Sequence, residues 1–221
     1  MGVTIQPAGF SIPLPVPDAR SYSRIETLIR ATPNLLMYLP LSTGLGGADD
    51  GDARFLTGTL IATPAYTTPT TEITMMAWAK KTGTVNQVQS VIRQETGGAF
   101  VILCYAAGAT ITPKHIISTD GGAGGGLTAG VVNDANWHMY AFTWKKNTTS
   151  GWRVFVDGAL STSSNATNAD LPANTNGIGI GISPAGFGEA ITGNIAHAAV
   201  FGRALTDQEI ADVYHAGLDP W

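Results

Sequence analysis

Acidic side chains are the first candidates for chemistry in this sequence, because retaining glycosidases need two carboxylates about 5–5.5 Å apart. The acids considered are Glu72, Glu95, Asp120, Asp134, Asp157, Asp170 and Glu189. Glu72 begins a predicted strand, but residues 73–76 bring no second acid onto the same face. The spacing therefore predicts no glycosidase pair, no catalytic residues and no enzyme activity.

Histidine and cysteine residues offer no alternative basis for catalysis or zinc binding. The histidines are His115, His138, His197 and His215. None has the H-x-x-x-H spacing that places two zinc ligands on one helix face. Cys104 lies in the apolar run 100–105, which predicts a buried thiol, and no G-x-S-x-G nucleophile elbow occurs.

A glycine-rich loop at residues 44–52 carries the one candidate metal site. Asp49, Asp50 and Asp52 cluster there, and oxygen ligands on a flexible loop are what calcium takes. The alternative, a solvated acidic turn, is favoured because oxygen ligands alone are unspecific. No other cofactor is predicted.

Aromatic residues are candidates for stacking on sugar rings, although most aromatic side chains in a sandwich belong to its core. The candidates are Tyr66, Tyr105, Trp152, Phe187 and Trp221. Trp221 follows Asp219 and Pro220 at the end of the sequence. We expect it to dock on a neighbouring subunit rather than in the core.

Composition limits the partners of this 221-residue polypeptide. Charged residues make up 13% of it, against about 25% in typical soluble domains. The net charge is −4 without a run of lysine or arginine, which disfavours nucleic acid as a partner. No apolar stretch of about 20 residues predicts a membrane span, and residues 1–7 do not resemble a signal peptide.

Residues 1–20 are predicted to form an extended arm. Pro13, Pro15 and Pro17 alternate with apolar residues, a pattern that favours polyproline-type conformation. The arm is too short for a core of its own, so its side chains must pack on the domain or on another subunit. The predicted partner-binding residues are Phe10, Ile12, Leu14 and Val16, together with Trp221.

Two short helices and a series of strands are predicted after the arm. Ser23 with Glu26 and Thr206 with Glu209 have capping-box spacing, which predicts helices at 21–31 and 206–216, the second stopped by Gly217. The tract 121–126 is predicted to be a loop. Strands are predicted at 35–41, 54–61, 72–80, 88–94, 100–106, 111–118, 137–144, 152–157, 177–182 and 191–201.

The strongest sequence pattern lies in three segments. These are the predicted strand pair 137–144 (WHMYAFTW) and 152–158 (WRVFVDG), and the segment 193–210 (GNIAHAAVFGRALTDQEI). Asp157-Gly158 is a turn signal, which predicts a structural role for that acid. Together these segments resemble the laminin-G-like branch of the concanavalin A-like lectin/glucanase superfamily. The resemblance implies an all-β, two-sheet antiparallel jelly-roll sandwich with a terminal helix, a structural His138, and calcium on the rim in many members. Ala196 stands at a frequently acidic family position.

We divide the sequence into an arm and short helix at 1–33 and a laminin-G-like sandwich at 34–221. The resemblance and the predicted arm together suggest a structural, surface-displayed virion protein of a tailed phage, a capsid decoration or tail subunit. Its expected partners are other virion subunits, including copies of itself, and a host surface glycan. The alternative is a free carbohydrate-binding module, secreted or on a cell surface.

Overall fold

The computed structural model describes residues 4–5, 24–39, 61–62, 71–81, 89–96, 99–105, 113–118, 126–129, 136–166, 170–171, 178–181 and 191–218. The strands in these ranges are β1 (Thr4–Ile5), β2 (Leu35–Leu39), β3 (Ile61–Ala62), β4 (Glu72–Lys81), β5 (Gln89–Thr96), β6 (Ala99–Tyr105), β7 (Pro113–Ser118), β8 (Gly126–Thr128), β9 (His138–Lys145), β10 (Trp152–Val156), β11 (Ala159–Ser164), β12 (Gly179–Ile180) and β13 (Gly193–Phe201). The helices are α1 (Arg24–Ala31) and α2 (Asp207–Leu218).

These strands form two sheets in which every described pairing is antiparallel. The first sheet has seven strands in the order β1-β2-β13-β4-β9-β10-β11. The second has six strands in the order β3-β12-β5-β6-β7-β8. The predicted all-β antiparallel sandwich is confirmed.

Side chains alternate between two cores along the central strands of the seven-stranded sheet, because successive strand residues point to opposite faces. On β4, Ile73 and Met75 join the core between the sheets, whereas Met76 joins a second core on the outer face. Strand β9 divides in the same way, with Phe142 inside and Met139 outside. Both faces of this strand are therefore covered.

Both helices cover the outer face of the seven-stranded sheet. Ile25 and Ile29 of α1 are fully buried there, as is Ile210 of α2, and the two helices contact each other. Complete burial of an isoleucine side chain contributes about 1.5–3 kcal/mol. The helix that follows the arm is therefore packed on the sandwich. The division at residue 33 stays a prediction.

Helix α2 begins as predicted but ends later than predicted. The Thr206 hydroxyl accepts from the Glu209 amide, and the Glu209 carboxylate accepts from the Thr206 amide, so the capping box is confirmed. Gly217 does not stop the helix, which continues to Leu218. A Cβ at Gly217 would lie 2.6 Å from the Trp78 indole. Glycine is needed there for close packing, and the predicted stop is wrong.

Three of the described strands were not predicted. β1 is in the predicted arm, β8 begins at the last residue of the predicted loop 121–126, and β11 carries no hydrophobic alternation. Of the predicted strand 54–61, residue 61 is described, and it begins β3. All four are edge strands. An edge strand is paired on one side only, so its sequence pattern is weaker than that of a central strand.

Candidate functional site

The loop from β13 into α2 is held by a network of ion pairs and hydrogen bonds. The Arg203 guanidinium donates to both carboxylate oxygens of Glu209, at 2.9 and 2.5 Å. Arg203 also donates to the carbonyl of Pro33, at 3.2 Å. The Thr74 hydroxyl donates to the Arg203 carbonyl at 2.7 Å and accepts from the Leu205 amide at 2.9 Å. These contacts give the R-A-L-T-x-x-E segment a structural role in holding the loop and the start of α2.

The turn between β10 and β11 holds a histidine–carboxylate pair. Asp157 adopts a positive φ of 50° and Gly158 one of 75°, as a tight hairpin turn requires. Asp157 Oδ2 lies 2.6 Å from His138 Nδ1, and Oδ1 accepts from the Met139 amide at 3.0 Å. The carboxylate thus ties the turn to the start of β9. The structural roles predicted for Asp157 and His138 agree with these contacts.

Aromatic rings from α2 and β4 lie over this turn. The rings of Tyr214 and Trp78 are stacked, with centroids 5.6 Å apart and planes at 11°. His215 tilts against Tyr214 at 5.5 Å. Gly158 lies beneath Tyr214, since a Cβ there would be 2.8 Å from the tyrosine Cβ. Trp78 and Tyr214 are half-buried and His215 is exposed.

We call Trp78, His138, Asp157, Tyr214 and His215 the turn–helix patch. Its aromatic rings lie on the helix-covered face, whereas His138 shares the strand face of Tyr140 and reaches Asp157 from the side of the core between the sheets. Partial burial raises the pKa of Tyr214, and the negative charge of Asp157 raises it further. The Tyr214 phenol therefore stays protonated at neutral pH and can donate a hydrogen bond to a ligand.

A second polar group lies beneath α1. Tyr38 is fully buried on β2, and its hydroxyl oxygen is 2.7 Å from Nδ1 of His197 on β13. The same hydroxyl is hydrogen-bonded to the buried Glu26 carboxylate of α1. The Arg30 guanidinium lies 5.1 Å from the centre of the Tyr38 ring, within cation–π range. We call Glu26, Arg30, Tyr38 and His197 the α1 cluster.

Burial shifts the acid–base behaviour of the α1 cluster. It raises the pKa of the Tyr38 phenol far above its ordinary value, and the nearby Glu26 charge adds to that rise. It lowers the pKa of His197 from 6.5 to about 4. His197 is therefore neutral at physiological pH. Because the Tyr38 hydroxyl donates to Glu26, the Nδ1–H of His197 donates to the hydroxyl oxygen.

Several sequence-predicted site residues lie outside the described residues. These are the calcium candidates Asp49, Asp50 and Asp52, the arm residues Phe10, Ile12, Leu14 and Val16, the terminal Trp221, and Tyr66 and Phe187. Nothing is described of the side chains of Cys104, Tyr105 or His115. Trp152 is 8% exposed and belongs to the core between the sheets, so it cannot serve as a stacking platform.

The described residues form neither a cluster of metal ligands nor a helix suited to span a membrane. No three His, Cys, Asp or Glu side chains in these ranges come together as a metal site. Neither described helix has the length and apolar character needed to cross a membrane.

Sequence reasoning did not find either cluster as a unit. Tyr38 and His197 are 159 positions apart, and they meet because β2 and β13 are neighbours. Glu26 was interpreted as half of a capping box. The placement of Glu26 and Arg30 four residues apart on α1 was the available signal, since such residues share a helix face. Tyr214 lies within the predicted second helix and was not among the aromatic candidates for sugar stacking.

Comparison with known proteins establishes the family. A laminin G family model of the concanavalin A-like lectin/glucanases superfamily matches residues 55–211. The matched part begins before β3 and extends into α2, which is more than half of the sequence. The chain therefore belongs to this family. No curated protein matches the sequence.

Solved structures share the fold at low sequence identity. The carbohydrate-binding module of a Ruminococcus gnavus sialidase, bound to α2,6-sialyllactose, matches with a TM-score of 0.52 and 16% identity, over 72% of this chain and 98% of the module. A heptameric pentraxin from Limulus polyphemus matches at 0.50 and 12%, over 66% and 70%. The binding domain of botulinum neurotoxin serotype G matches at 0.53 and 15%, over 69% of this chain and 38% of the toxin domain. These similarities establish the shared fold.

The two clusters differ in what they can do chemically. The α1 cluster is enclosed between a helix and the sheet, and within it the Tyr38 hydroxyl links the His197 imidazole to the Glu26 carboxylate. The turn–helix patch keeps half-buried aromatic rings and polar atoms partly accessible to solvent. Surface aromatic rings beside carboxylate and imidazole groups offer stacking together with hydrogen bonding.

Proposed function

We propose that the protein is a non-catalytic, lectin-like module that binds a glycan at the turn–helix patch. The observation that carries this proposal is the partly exposed Tyr214–Trp78 stack, bordered by Asp157 and by the exposed His215. A pyranose ring has apolar C–H faces and a rim of hydroxyl groups. Such a ligand matches aromatic faces surrounded by hydrogen-bonding groups.

Asp157 retains hydrogen-bonding capacity for such a ligand. Its two oxygens accept from His138 and from the Met139 amide. An ionised carboxylate has about four acceptor positions, so two remain for sugar hydroxyls. The aspartate side chain is 31% exposed. The Tyr214 phenol and the His215 imidazole can donate hydrogen bonds to acceptor oxygens of the ligand.

The comparisons support this proposal through the fold. The carbohydrate-binding module whose structure contains α2,6-sialyllactose is matched over almost its whole length. The present chain would use the same kind of sandwich for glycan recognition. The identity of the sugar is left to the binding experiment, because a similarity at 16% identity supports the fold and not the ligand.

The absence of catalysis is part of the proposal. Four of the described acids take part in local ion pairs: Glu72 with Lys145 at 3.0 Å, Asp170 with Lys146 at 2.6 Å, Asp207 with Arg153, and Glu209 with Arg203. Asp157 pairs with His138. These contacts give each of the five acids a structural role. They support a module that binds without hydrolysing.

A glycan panel followed by calorimetric titration tests the proposal. We expect at least one oligosaccharide to bind, and Tyr214→Ala to weaken it about 10-fold or more, because aromatic contacts of this kind contribute about 0.5–1.5 kcal/mol beyond buried area. Leu218→Ala, an exposed residue one turn later on α2, is the matched control. Loss of binding in both variants would implicate helix stability rather than stacking.

The outcomes separate the function from its site. If no glycan binds the wild type, the lectin-like function is wrong. If a glycan binds and Tyr214→Ala binds it equally well, the function stands and the turn–helix patch is not the site. If the bound glycan is cleaved over time, the protein is an enzyme.

We further propose that the module is displayed on a virion, as a capsid decoration or tail-associated subunit of a tailed phage, and is anchored through residues 1–20. The low charge content and the Pro-rich arm support this. Thr4 and Ile5 of the arm pair with β2 at the edge of the seven-stranded sheet, and α1, which follows the arm, packs on the outer face of that sheet. A free carbohydrate-binding module, secreted or on a cell surface, is the alternative.

Deletion of residues 1–20 tests the anchoring proposal. We expect the shortened protein to keep its thermal transition but to lose association with particles or with arm-dependent assemblies. Sedimentation velocity and co-sedimentation with virions measure this. An unfolded product, or assembly that persists unchanged, would contradict the assignment of anchoring to the arm.

A further inference from the structure

The N-terminal strand β1 and the helix α1 both contact the same residue of the seven-stranded sheet, Tyr38 on β2. Thr4 of β1 is the register partner of Tyr38, and Ile5 is the partner of Met37. Glu26 of α1 is hydrogen-bonded to the Tyr38 hydroxyl. The polypeptide therefore leaves the neighbourhood of Tyr38 after Ile5 and comes back to it with α1.

The connection between these two elements is long, although both contact one tyrosine. It comprises residues 6–23, which are 18 residues. A polyproline-type segment of that length spans about 56 Å, whereas a folded chain of this size has a radius of gyration of about 17 Å. Pro13, Pro15 and Pro17 are expected from the sequence to keep its centre extended. An extended connection of this length suits contacts in two subunits better than two contacts on one residue.

The place that β1 occupies on β2 is a site that needs a strand. β2 lies between β1 and β13 in the order of the sheet. Met37 and Tyr38 are fully buried, the first in the core between the sheets and the second in the outer core. Without β1, backbone groups of β2 beside these two side chains would lose their partners in the sheet. We call Met37 and Tyr38, on the side of β2 that pairs with β1, the β2 seat.

We propose that the β2 seat receives β1 from a second copy of this chain, so that two subunits exchange their N-terminal strands. The exchanged strand makes the same contacts in the partner subunit as it makes in its own, and such an exchange is a low-cost route to a dimer. Reciprocal exchange fills both seats. It rests on the proposed role of residues 1–20 in assembly, and it names the surface that receives them.

Helix α1 keeps the other end of the connection on its own subunit. Ile25 and Ile29 are fully buried in the outer core together with Ile210 of α2. The guanidinium of Arg203 also donates to the carbonyl of Pro33, directly after the helix. Movement of α1 to another subunit would open this core, so the exchange is confined to β1 and the connection that carries it.

An isotope-mixing experiment distinguishes exchange from pairing within one subunit. Full-length protein in which the photoreactive residue benzoylphenylalanine replaces Thr4 is prepared unlabelled and labelled with nitrogen-15. The two batches are unfolded, mixed, refolded together, irradiated and digested with trypsin. Residue 4 and β2 fall into different peptides, 1–20 and 31–54, because Arg20 and Arg30 lie between them. We expect about half of the cross-linked pairs to join a labelled to an unlabelled peptide, because identical subunits combine at random.

The same photoreactive residue in place of Ser163 is the matched control. Ser163 is exposed on β11, which lies at the opposite end of the seven-stranded sheet from β1. Cross-links from this position measure chance encounters between subunits. They should give no mixed pairs with peptide 31–54.

Sedimentation velocity of a proline variant supplies a second test. Alternate residues of a strand direct their amides to opposite sides, so Thr4→Pro combined with Ile5→Pro removes whichever amide donates to β2. We expect the dimer dissociation constant to rise about 100-fold, because each of the two seats loses a ladder hydrogen bond. Thr4→Ser combined with Ile5→Val keeps both amides and should dimerise as the wild type does.

The outcomes separate the exchange from the anchoring role of the arm. Cross-linked pairs that all carry a single label, or a wild type that is monomeric up to about 1 mM, would overturn the exchange. If deletion of residues 1–20 abolishes assembly while the proline variant assembles normally, the arm still anchors the protein but the β2 seat does not receive it. If assembly survives that deletion unchanged, both the anchoring and the exchange are wrong.

Discussion

The α1 cluster and the turn–helix patch use nearly the same chemical groups in different surroundings. Each contains a tyrosine, a histidine and a carboxylate. In the α1 cluster Tyr38 and Glu26 are buried, and His197 is 4% exposed. In the turn–helix patch the side chains of His138 and Asp157 are 16% and 31% exposed, and Tyr214 is half-buried.

The difference shows that burial, and not residue type, decides what such a cluster does. Buried polar groups must satisfy one another because an unpaired one costs about 1–3 kcal/mol. The α1 cluster therefore holds a helix on a sheet. Partly exposed groups keep water as a partner, so they are free to exchange it for a ligand. Three experiments test this contrast.

The largest expected effect is a loss of stability on acidification caused by His197. Its pKa in the folded protein is about 4, below the 6.5 of an unfolded histidine. The unfolded chain therefore binds the proton first. Stability falls as the pH falls from 6.5 to 4, by about 3 kcal/mol in total, and this loss is complete below pH 4. Urea unfolding across this range measures it.

His197→Asn is the variant for that measurement. His197 has a positive φ of 49° at a β-bulge, a conformation that asparagine tolerates. The difference in the free energy of unfolding between wild type and variant should shrink steadily as the pH falls from 6.5 to 4.5. Glu209, whose pKa is lowered to about 2 chiefly by the Arg203 hydrogen bonds, loses its contribution only below pH 4.5. If the free energies of unfolding of the two proteins depend on pH in the same way, the loss of stability on acidification is not caused by His197.

The next largest effect is expected from removing one hydroxyl group from each cluster. Tyr38→Phe leaves the buried Glu26 carboxylate and the His197 ring without the hydroxyl between them. We expect a loss of about 2 kcal/mol in the free energy of unfolding. Tyr214→Phe keeps its stack on Trp78 and should change stability by less than about 0.5 kcal/mol.

Chemical denaturation of the two variants at pH 7 is the measurement. Equal losses from Tyr38→Phe and Tyr214→Phe would break the contrast between the clusters. A small effect of Tyr38→Phe alone would mean that water or a rearranged Arg30 replaces the lost hydroxyl.

The smallest effect is expected from Asp157→Asn in the turn. Asparagine tolerates the positive φ and still accepts from the Met139 amide, but it loses the charge that faces His138. We expect a loss of about 1 kcal/mol, since the site is partly solvated. Asp170→Asn, in a surface pair with Lys146, should cost less than about 0.5 kcal/mol. Melting temperatures of both variants are compared, and an equally small shift for Asp157→Asn would show that its pairing with His138 adds little.

The predictable features were those encoded over a few neighbouring residues. The capping box of Thr206 and Glu209 and the Asp157-Gly158 turn both appear in the structure as the sequence indicated. Each depends on contacts within one turn, hairpin or strand. The family pattern then supplied the arrangement of strands that no local signal contains.

Contacts between distant segments could not be predicted. Gly217 looked like a helix stop, and only the position of Trp78 on the neighbouring sheet explains why the helix continues. Glu26 looked like a capping residue, and its bond to Tyr38 depends on where α1 lies on the sheet. Strand β11 has no alternating hydrophobic pattern because it is exposed along most of its length.

The contact between α1 and α2 has a consequence for synthesis of the protein. About 180 residues separate Ile29 from Ile210, which pack in the same outer core. At translation rates of 5–20 residues per second, the side of α1 that packs against α2 would remain uncovered for roughly 10 to 40 seconds on the ribosome. Strand β2 also remains without its partner β13 until about 160 further residues have been synthesised. The nascent chain is therefore exposed to aggregation until its last helix emerges, and products truncated before α2 would retain that exposed surface.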